Sequence, residues 1–447
     1  AWCRHHEPEV ITLSAVPTSV ERCRVARWIL VLSCVLVVPT AFAEELPQAS
    51  PQSVGLSSAR LDRLSHKMRT YVNRGQLPGA ITVVARQGKV VQFEQFGLMD
   101  VENGKEMQPD TLFRVFSMTK PITGVAVMIL FEEGRFLLTD PVAKYLPEFE
   151  GLGVYLDGSA DDLRTEPADP MTIEHLLTHT SGLAYDDPGP GVNEIYRNAG
   201  LWKVASLQEF VDKLTQLPLL YQPGTDWHYS VSMDVLGRLV EVVSGQPYDR
   251  FLVERIFEPL GMADTGFFVP AENADRLAAL YRATPDGGFE RVEGRRTDAA
   301  LSPDRVPFGG SGLLSTARDY LRFAQMLVNG GELDGTRILG RKTVDLMLGD
   351  HLGPRHGPSP LAGFEPWLQS SAEGVGFGFT GAVITDPALS CLPGSVGQFF
   401  WGGWASTFFF IDREEQLVGM VLAQLIPSDA YPLRADARIL TYQALID

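Results

Sequence analysis

The chain has 447 residues, too many for one small domain and suited to one large composite domain or two lobes. Apolar residues make up 45% of it, enough for a sizeable core without disulfide or metal staples. A formal net charge of −17, with no Lys/Arg-rich run, argues against a nucleic-acid partner.

Arg22, Arg24 and Arg27 precede the apolar run WILVLSCVLVVPTAFA, which ends in Ala41-Phe42-Ala43. A basic start, an apolar middle and an Ala-x-Ala site form the pattern of a secretory signal peptide. The run is too short and too Pro-interrupted for a good membrane span. Residues 1–43 are therefore expected to be a leader cleaved after Ala43, with Val25 a candidate translation start. The mature protein, 44–447, is expected in a bacterial periplasm or secreted, without a transmembrane span. Leu32-Ser33-Cys34 resembles a lipoprotein box and keeps lipid anchoring as an alternative. Three of the four cysteines, Cys3, Cys23 and Cys34, fall in or before the leader. Only Cys391 remains, so neither an intramolecular disulfide nor a Cys/His metal cluster is expected, and no cofactor.

After the leader, Leu61, Leu64, Met68 and Tyr71 recur at helical spacing within 56–74. AITVVARQ and VVQFEQFG, joined at Gly88-Lys89, predict a hairpin. The apolar segment behind FRVFSMTKP (113–121) predicts a buried helix starting near Ser117. Residues 150–170 are polar and read as a surface excursion. A helix is expected within 171–185, capped by Thr172 and stopped at Ser181-Gly182. Further helices are expected at Ser206–Leu217, from Tyr229-Ser230 to Val243, and at Tyr248–Phe257. From Gly266 the pattern turns irregular and strand-like. Ser315/Thr316 caps another helix, and another is expected near Arg341–Leu348. QFFWGGWASTFFFID and LVGMVLAQL, either side of Arg413–Gln416, predict a second hairpin, closed by a helix at Arg434–Leu445.

With strands near both ends and helices between, the expected class is α+β. An antiparallel sheet pairs the two hairpins and is flanked by helices, with an all-helical lobe inserted. The α/β lobe would take about 50–116 and 300–447, and the helical lobe about 117–299. A cleft is expected where the sheet edge meets the helical lobe.

Three stretches could meet there. Ser117 and Lys120 lie one helical turn apart, which puts a hydroxyl and an amine on one face. Ser-x-x-Lys is one way to hold a nucleophile beside its own base, although alone it is a weak motif. Tyr229 places a phenol at a loop-to-helix junction after Gln222-Pro223-Gly224. Gly402 and Gly403, in Trp401-Gly402-Gly403-Trp404, let another group approach a strand closely. Of the other candidates, His179 reads as a capping and packing residue and His228 as structural or at the rim. Tyr185 and Asp186 are candidates to line the entrance. Ser311 fails the Gly-x-Ser-x-Gly pattern because position 313 is Leu. Gly309, Gly310 and Gly312 are read as permitting close backbone packing.

FRVFSMTKPIT, LLTHTSGL, QPGTDWHYSVSMDVLGRLVEVVSG, PFGGSGLLSTARDYLRFAQML and the WGG segment together resemble the serine β-lactamase and penicillin-binding-protein superfamily. The resemblance is greatest to the family VIII carboxylesterases, which are similar to class C β-lactamases, and it covers nearly the whole mature chain. It implies a β-lactamase/transpeptidase-like fold with Ser117 acylated, Lys120 the neighbouring base and Tyr229 exchanging protons with nucleophile and leaving group. It also implies an oxyanion hole from the backbone N–H groups of Ser117 and Trp404. A neutral amine, or a phenolate beside an ammonium, could each take the Ser117 proton.

Two departures bear on substrate. Trp401-Gly402-Gly403 stands where true β-lactamases carry Lys-Thr-Gly, and Tyr-Ser-Val where class C enzymes carry Tyr-x-Asn. A Trp401 face would favour uncharged esters over a lactam carboxylate. The expectation is a carboxylesterase for short- to medium-chain acyl esters, a small-molecule substrate class, with weak cephalosporin hydrolysis as a side activity. The alternatives are a class C-like β-lactamase or D-alanyl peptidase, an acyltransferase on the same fold, and a non-catalytic penicillin-binding-like protein.

Overall fold

The computed structural model describes residues 45–447 apart from 160, 161, 188, 293, 295–298 and 358. The leader expected at 1–43 lies outside the described residues. The central sheet takes β1 (Gly79–Arg86), β2 (Lys89–Asp100) and β3 (Lys105–Glu106) from the first part of the chain. Its other strands are β4 (Val375–Phe377), β5 (Ala382–Ile384), β6 (Phe399–Gly403), β7 (Thr407–Asp412) and β8 (Leu417–Ala423). The order is β4-β5-β6-β7-β8-β1-β2-β3. The two hairpins join through an antiparallel β1–β8 pair running from Ala80↔Ala423 to Arg86↔Leu417. That is the pairing the sequence predicts.

Every residue of β1, β6, β7 and β8 is buried, so these strands are covered on both faces. Their nearly continuous apolar and aromatic runs reflect that. Helices α1 (Ser58–Asn73) and α5 (Leu433–Tyr442) pack together, and the Tyr71 hydroxyl donates to Asp436 at 2.6 Å. Helix α4 (Ala317–Val328) packs against β7 and β8 with every residue but Arg318 buried. Thr316 caps it, accepting from the Asp319 N–H at 3.1 Å.

Helix α2 (Thr119–Glu132) follows the 3-10 turn Phe116–Met118 and is buried from Thr119 to Leu130. A helix apolar on all sides belongs in a core, and α2 packs against α3 (Ser232–Ser244) there. Among the described residues no helix is long and apolar enough to cross a membrane.

Three expectations need correction. The middle of the chain is not wholly helical. Gly153–Asp157 and Arg164–Pro167 pair as an antiparallel hairpin where a plain excursion was expected. Glycine at 153 lets the strands close: a Cβ there would lie 2.7 Å from Thr165. Tyr281–Ala283 and Phe289–Arg291 form a second pair, which continues onto Leu425–Ile426 at the end of the second hairpin. The helix within 171–185 spans only Ile173–Leu177, although Thr172 caps it as expected. Thr178 bonds back to the Glu174 carbonyl at 2.8 Å and His179 turns left-handed, at φ 58°. The chain then runs as a buried loop through Ser181.

Candidate active site

The Ser117 turn is braced from several sides. Phe113 and Arg114 pair with Ser315 and Leu314, and the Val115 N–H reaches the Leu313 carbonyl at 3.2 Å. Phe116 adopts a left-handed φ of 44°, which costs a non-glycine residue about 1 kcal/mol. Tyr320 donates to the Met118 carbonyl at 2.8 Å. Thr119 accepts from the Leu313 N–H at 3.1 Å. Ser117 is left half-buried at the mouth of α2, and Lys120, one turn later, is 0% exposed.

Among the described residues Lys120 Nζ bonds Ser117 Oγ at 3.1 Å, Tyr185 OH at 3.1 Å and the Gly310 carbonyl at 2.6 Å. It also lies over the rings of Tyr229, 4.6 Å from the centroid, and Tyr185, at 5.7 Å. Burial pushes the Lys120 amine down to about 7, while the nearby Asp234 carboxylate pulls it back up. Asp234 is itself buried on the first turn of α3, and burial raises it to about 6 against the Lys120 charge and the Gly310 N–H.

Tyr229 precedes α3, and its ring packs on Tyr185 at 5.4 Å. Its hydroxyl faces Ser117 and the Trp401 indole. Burial raises the phenol well above its usual range, and those two neighbours only partly offset it. His179 supports the segment from beneath. It is fully buried, its ring is 4.8 Å from Tyr229, and its Nδ1 accepts from the Ser230 N–H at 3.2 Å. Ser230 and Ser181 each bond Ser232, at 2.7 and 2.8 Å. Burial and the Lys120 charge hold the imidazole well below its ordinary value, so His179 is neutral packing.

Strand β6 closes the other side. A Cβ on Gly403 would sit 2.3 Å from the Val115 carbonyl oxygen, so the strand presses directly on the Ser117 turn. Trp404 follows, 37% exposed, and meets the Phe116 ring edge-on at 5.7 Å. The two backbone segments assigned to oxyanion binding are therefore neighbours.

Trp401 does not offer the free face that the sequence reading gave it. It is 0% exposed. Trp367 packs on it at 4.3 Å, Phe364 at 6.2 Å, Phe377 at 5.4 Å and Tyr229 at 5.4 Å. It backs Tyr229, and Phe364, half-buried and 5.6 Å from Tyr229, takes the outer position. Gly402 lies beneath Trp367 and the buried Arg434 guanidinium, which stacks 4.3 Å over the Trp367 ring. Asp186 is exposed and accepts from the Trp202 indole at 3.1 Å, with Trp202 stacked on Tyr185 at 6.2 Å.

Of the residues the sequence singles out, the structure brings together Ser117, Lys120, Tyr229, Tyr185, Gly403 and Trp404, while Trp401 and Gly402 lie behind this group and Asp186 is exposed. The sequence reading misses Asp234, the Gly310 carbonyl, Trp202 and the Phe364/Trp367 pair. Asp234 had a signal: a carboxylate between Met233 and Val235 on a helix face destined for the core requires a partner.

A family model described as Beta-lactamase matches residues 64–443. Protein Rv1367c of Mycobacterium tuberculosis is 37% identical over 82% of this chain and 90% of its own. Esterase EstB of Burkholderia gladioli is 35% identical over 81% and 90%. Among solved structures, "EstCE1, a hydrolase with promiscuous acyltransferase activity" superposes with a TM-score of 0.74 at 28% identity, covering 86% of this chain and 99% of that one.

Proposed function

The chain belongs to the Beta-lactamase family, and from that premise we propose that it is a serine carboxylesterase working through an acyl-enzyme on Ser117. The observation that carries this is the 3.1 Å approach of a fully buried Lys120 amine to the Ser117 hydroxyl. A lysine held down to about 7 is available as a neutral amine near neutrality, whereas the raised Tyr229 phenol stays protonated. That favours the amine as base and the phenol as acid.

Ser117 Oγ attacks the ester carbonyl while its proton passes to Lys120 Nζ. The tetrahedral oxygen is held by the Ser117 and Trp404 N–H groups. The C–O bond to the alcohol breaks as Tyr229 protonates the leaving oxygen and is itself reprotonated from Lys120. Water then repeats the sequence on the acyl-enzyme, releasing the acid. The rings of Phe364, Tyr185 and Trp202 make the surroundings aromatic and support uncharged acyl esters of short to medium length. The esterase name of the Burkholderia gladioli relative agrees.

Turnover of p-nitrophenyl esters from acetate to dodecanoate, beside nitrocefin, tests this. Wild type should prefer an ester, and Ser117→Ala should lose activity by roughly 10^4-fold or more together with the acyl adduct. Preferential nitrocefin hydrolysis would make it a β-lactamase. An adduct that never turns over would make it a penicillin-binding-like protein.

A second reading, acyl transfer to an alcohol, is supported by the likeness to EstCE1, a hydrolase with promiscuous acyltransferase activity. Alcoholysis outrunning hydrolysis when an alcohol is added would favour it. We further propose that the mature protein is exported; N-terminal sequencing of the native product, expected to begin after Ala43, checks that.

A further inference from the structure

We infer that Asp234 is a positioning residue for Lys120, acting both through the Gly309–Gly312 loop and through the charge of its carboxylate beside the amine. Its carboxylate fastens the loop to α3, so that the Gly310 carbonyl takes one N–H of Lys120 and leaves the amine lone pair to the side of the Ser117 and Tyr185 hydroxyls. This deepens the esterase reading and rests on it.

The loop makes two bonds on opposite sides of Gly310. Its N–H donates to Asp234 Oδ1 at 2.8 Å, and its carbonyl accepts from Lys120 Nζ at 2.6 Å. The preceding carbonyl, of Gly309, accepts from Thr123 on α2 at 2.7 Å. The glycines are there for space. A Cβ on Gly309 would lie 2.3 Å from the Met233 carbonyl oxygen, and one on Gly310 would lie 2.8 Å from Asp234 Oδ2. A carbonyl can only accept, so it always engages an N–H of Lys120. Ser117 and Tyr185 are the two partners that can either donate or accept. The carbonyl therefore confines the lone pair of a neutral amine to the hydroxyl side, where the nucleophile stands.

Asp234 also carries charge to this point. It is 1% exposed, and its Oδ2 has no hydrogen-bond partner among the described residues. Lys120 is faced by Asp234 from α3, by Tyr185 and Tyr229, and by His179 from below. Asp234 is faced in turn by Lys120, Tyr185, Tyr229 and Tyr248. Both tyrosines at Lys120 stay neutral, and so does His179. Asp234 is the group whose charge steadies the ammonium that forms when Ser117 gives up its proton.

The test is the pH dependence of Ser117 labelling by a fluorophosphonate, which needs no ester turnover. Asp234→Asn keeps an oxygen for the Gly310 N–H and removes the charge. Its acid limb should move to lower pH by about one unit, because an amine without a neighbouring anion protonates less readily. An acid limb superimposed on wild type, in a variant with unchanged melting temperature, overturns the inference. Gly310→Ala decides the case if Asp234→Asn fails to fold. It displaces the carboxylate without deleting it, and should shift the limb the same way while slowing labelling at least about tenfold. An unmoved limb and rate there also overturn the inference. Wild-type protein that never labels at Ser117 removes the esterase reading, and this inference with it. Wild type that labels beside a variant with an unmoved limb removes this inference alone.

Discussion

Lys120 Nζ lies over the face of the Tyr229 ring, 4.6 Å from its centroid, while the Tyr229 hydroxyl is directed at Ser117 and Trp401. One side chain thus offers two functions at two places. The π face stabilises an ammonium on Lys120, and in the proposed mechanism the hydroxyl serves the reacting oxygens. Tyr229→Phe separates them. It should lower kcat by about 10^2- to 10^4-fold and leave the acid limb of kcat/KM in place, because the ring face remains. Steady-state kinetics across pH would show this, and a displaced limb would place Lys120 under the control of the hydroxyl instead.

The pH dependence follows from Lys120. Burial holds the amine at about 7. Below that pH the ammonium predominates and has no lone pair for Ser117; above it the neutral amine predominates. Hence kcat/KM should rise with pH to a plateau above about 7. Lys120→Arg, charged at every accessible pH, should lose activity by about 10^2-fold or more throughout, without a limb in this range.

Trp401→Lys would restore the residue that β-lactamases carry. Trp401 is fully buried under Trp367 and Phe364, so an ammonium there has no water and loses the aromatic packing. Expected is a loss of about 3 kcal/mol or more of stability, read by urea denaturation, with no gain of nitrocefin turnover. A stable variant with new lactamase activity would return Trp401 to the substrate wall.

Gly403→Ala tests the strand wall. The added Cβ meets the Val115 carbonyl oxygen and Thr407 Oγ1, each at 2.3 Å, and must part β6 from the Ser117 turn. Since the proposed oxyanion donors sit on those two segments, kcat should fall by about 10^2-fold or more with KM little changed. A rise in KM alone would assign β6 to binding.

The readable part of the site was the part encoded locally. Ser117 and Lys120 share one turn of one helix, and Tyr229 follows a Pro-Gly turn, so spacing and turn chemistry reveal them. Trp401 was read on the correct strand but with the wrong exposure. All of β6 is buried, so alternation along it does not distinguish a lined pocket from a packed core. What covers Trp401 comes from a segment without periodicity. Phe364 and Trp367 are held by bonds from Gln369 and Trp367 to α5. The Gln369 side-chain oxygen accepts from the Arg434 N–H at 2.8 Å, and the Trp367 carbonyl accepts from the Arg434 guanidinium at 2.7 Å. No local pattern encodes such a latch. The Gly153–Asp157/Arg164–Pro167 hairpin is not legible in the sequence because its strands are five and four residues long and mostly exposed, with no apolar alternation to mark them, and the strand pair in the strand-like stretch after Gly266 is completed by Leu425–Ile426, distant in sequence.

The β1–β8 pairing has a consequence for a shortened chain. Strand β6 is joined to β1 through β7 and β8, and β8 is the strand that docks on β1. During synthesis the helix bearing Ser117 and Lys120 leaves the ribosome long before β8. Ser117 and Lys120 thus precede in sequence the strand that docks the wall opposite them on β1. A chain that ends before 417 lacks the strand that docks this wall on β1, and such a truncated protein is expected to be inactive toward esters.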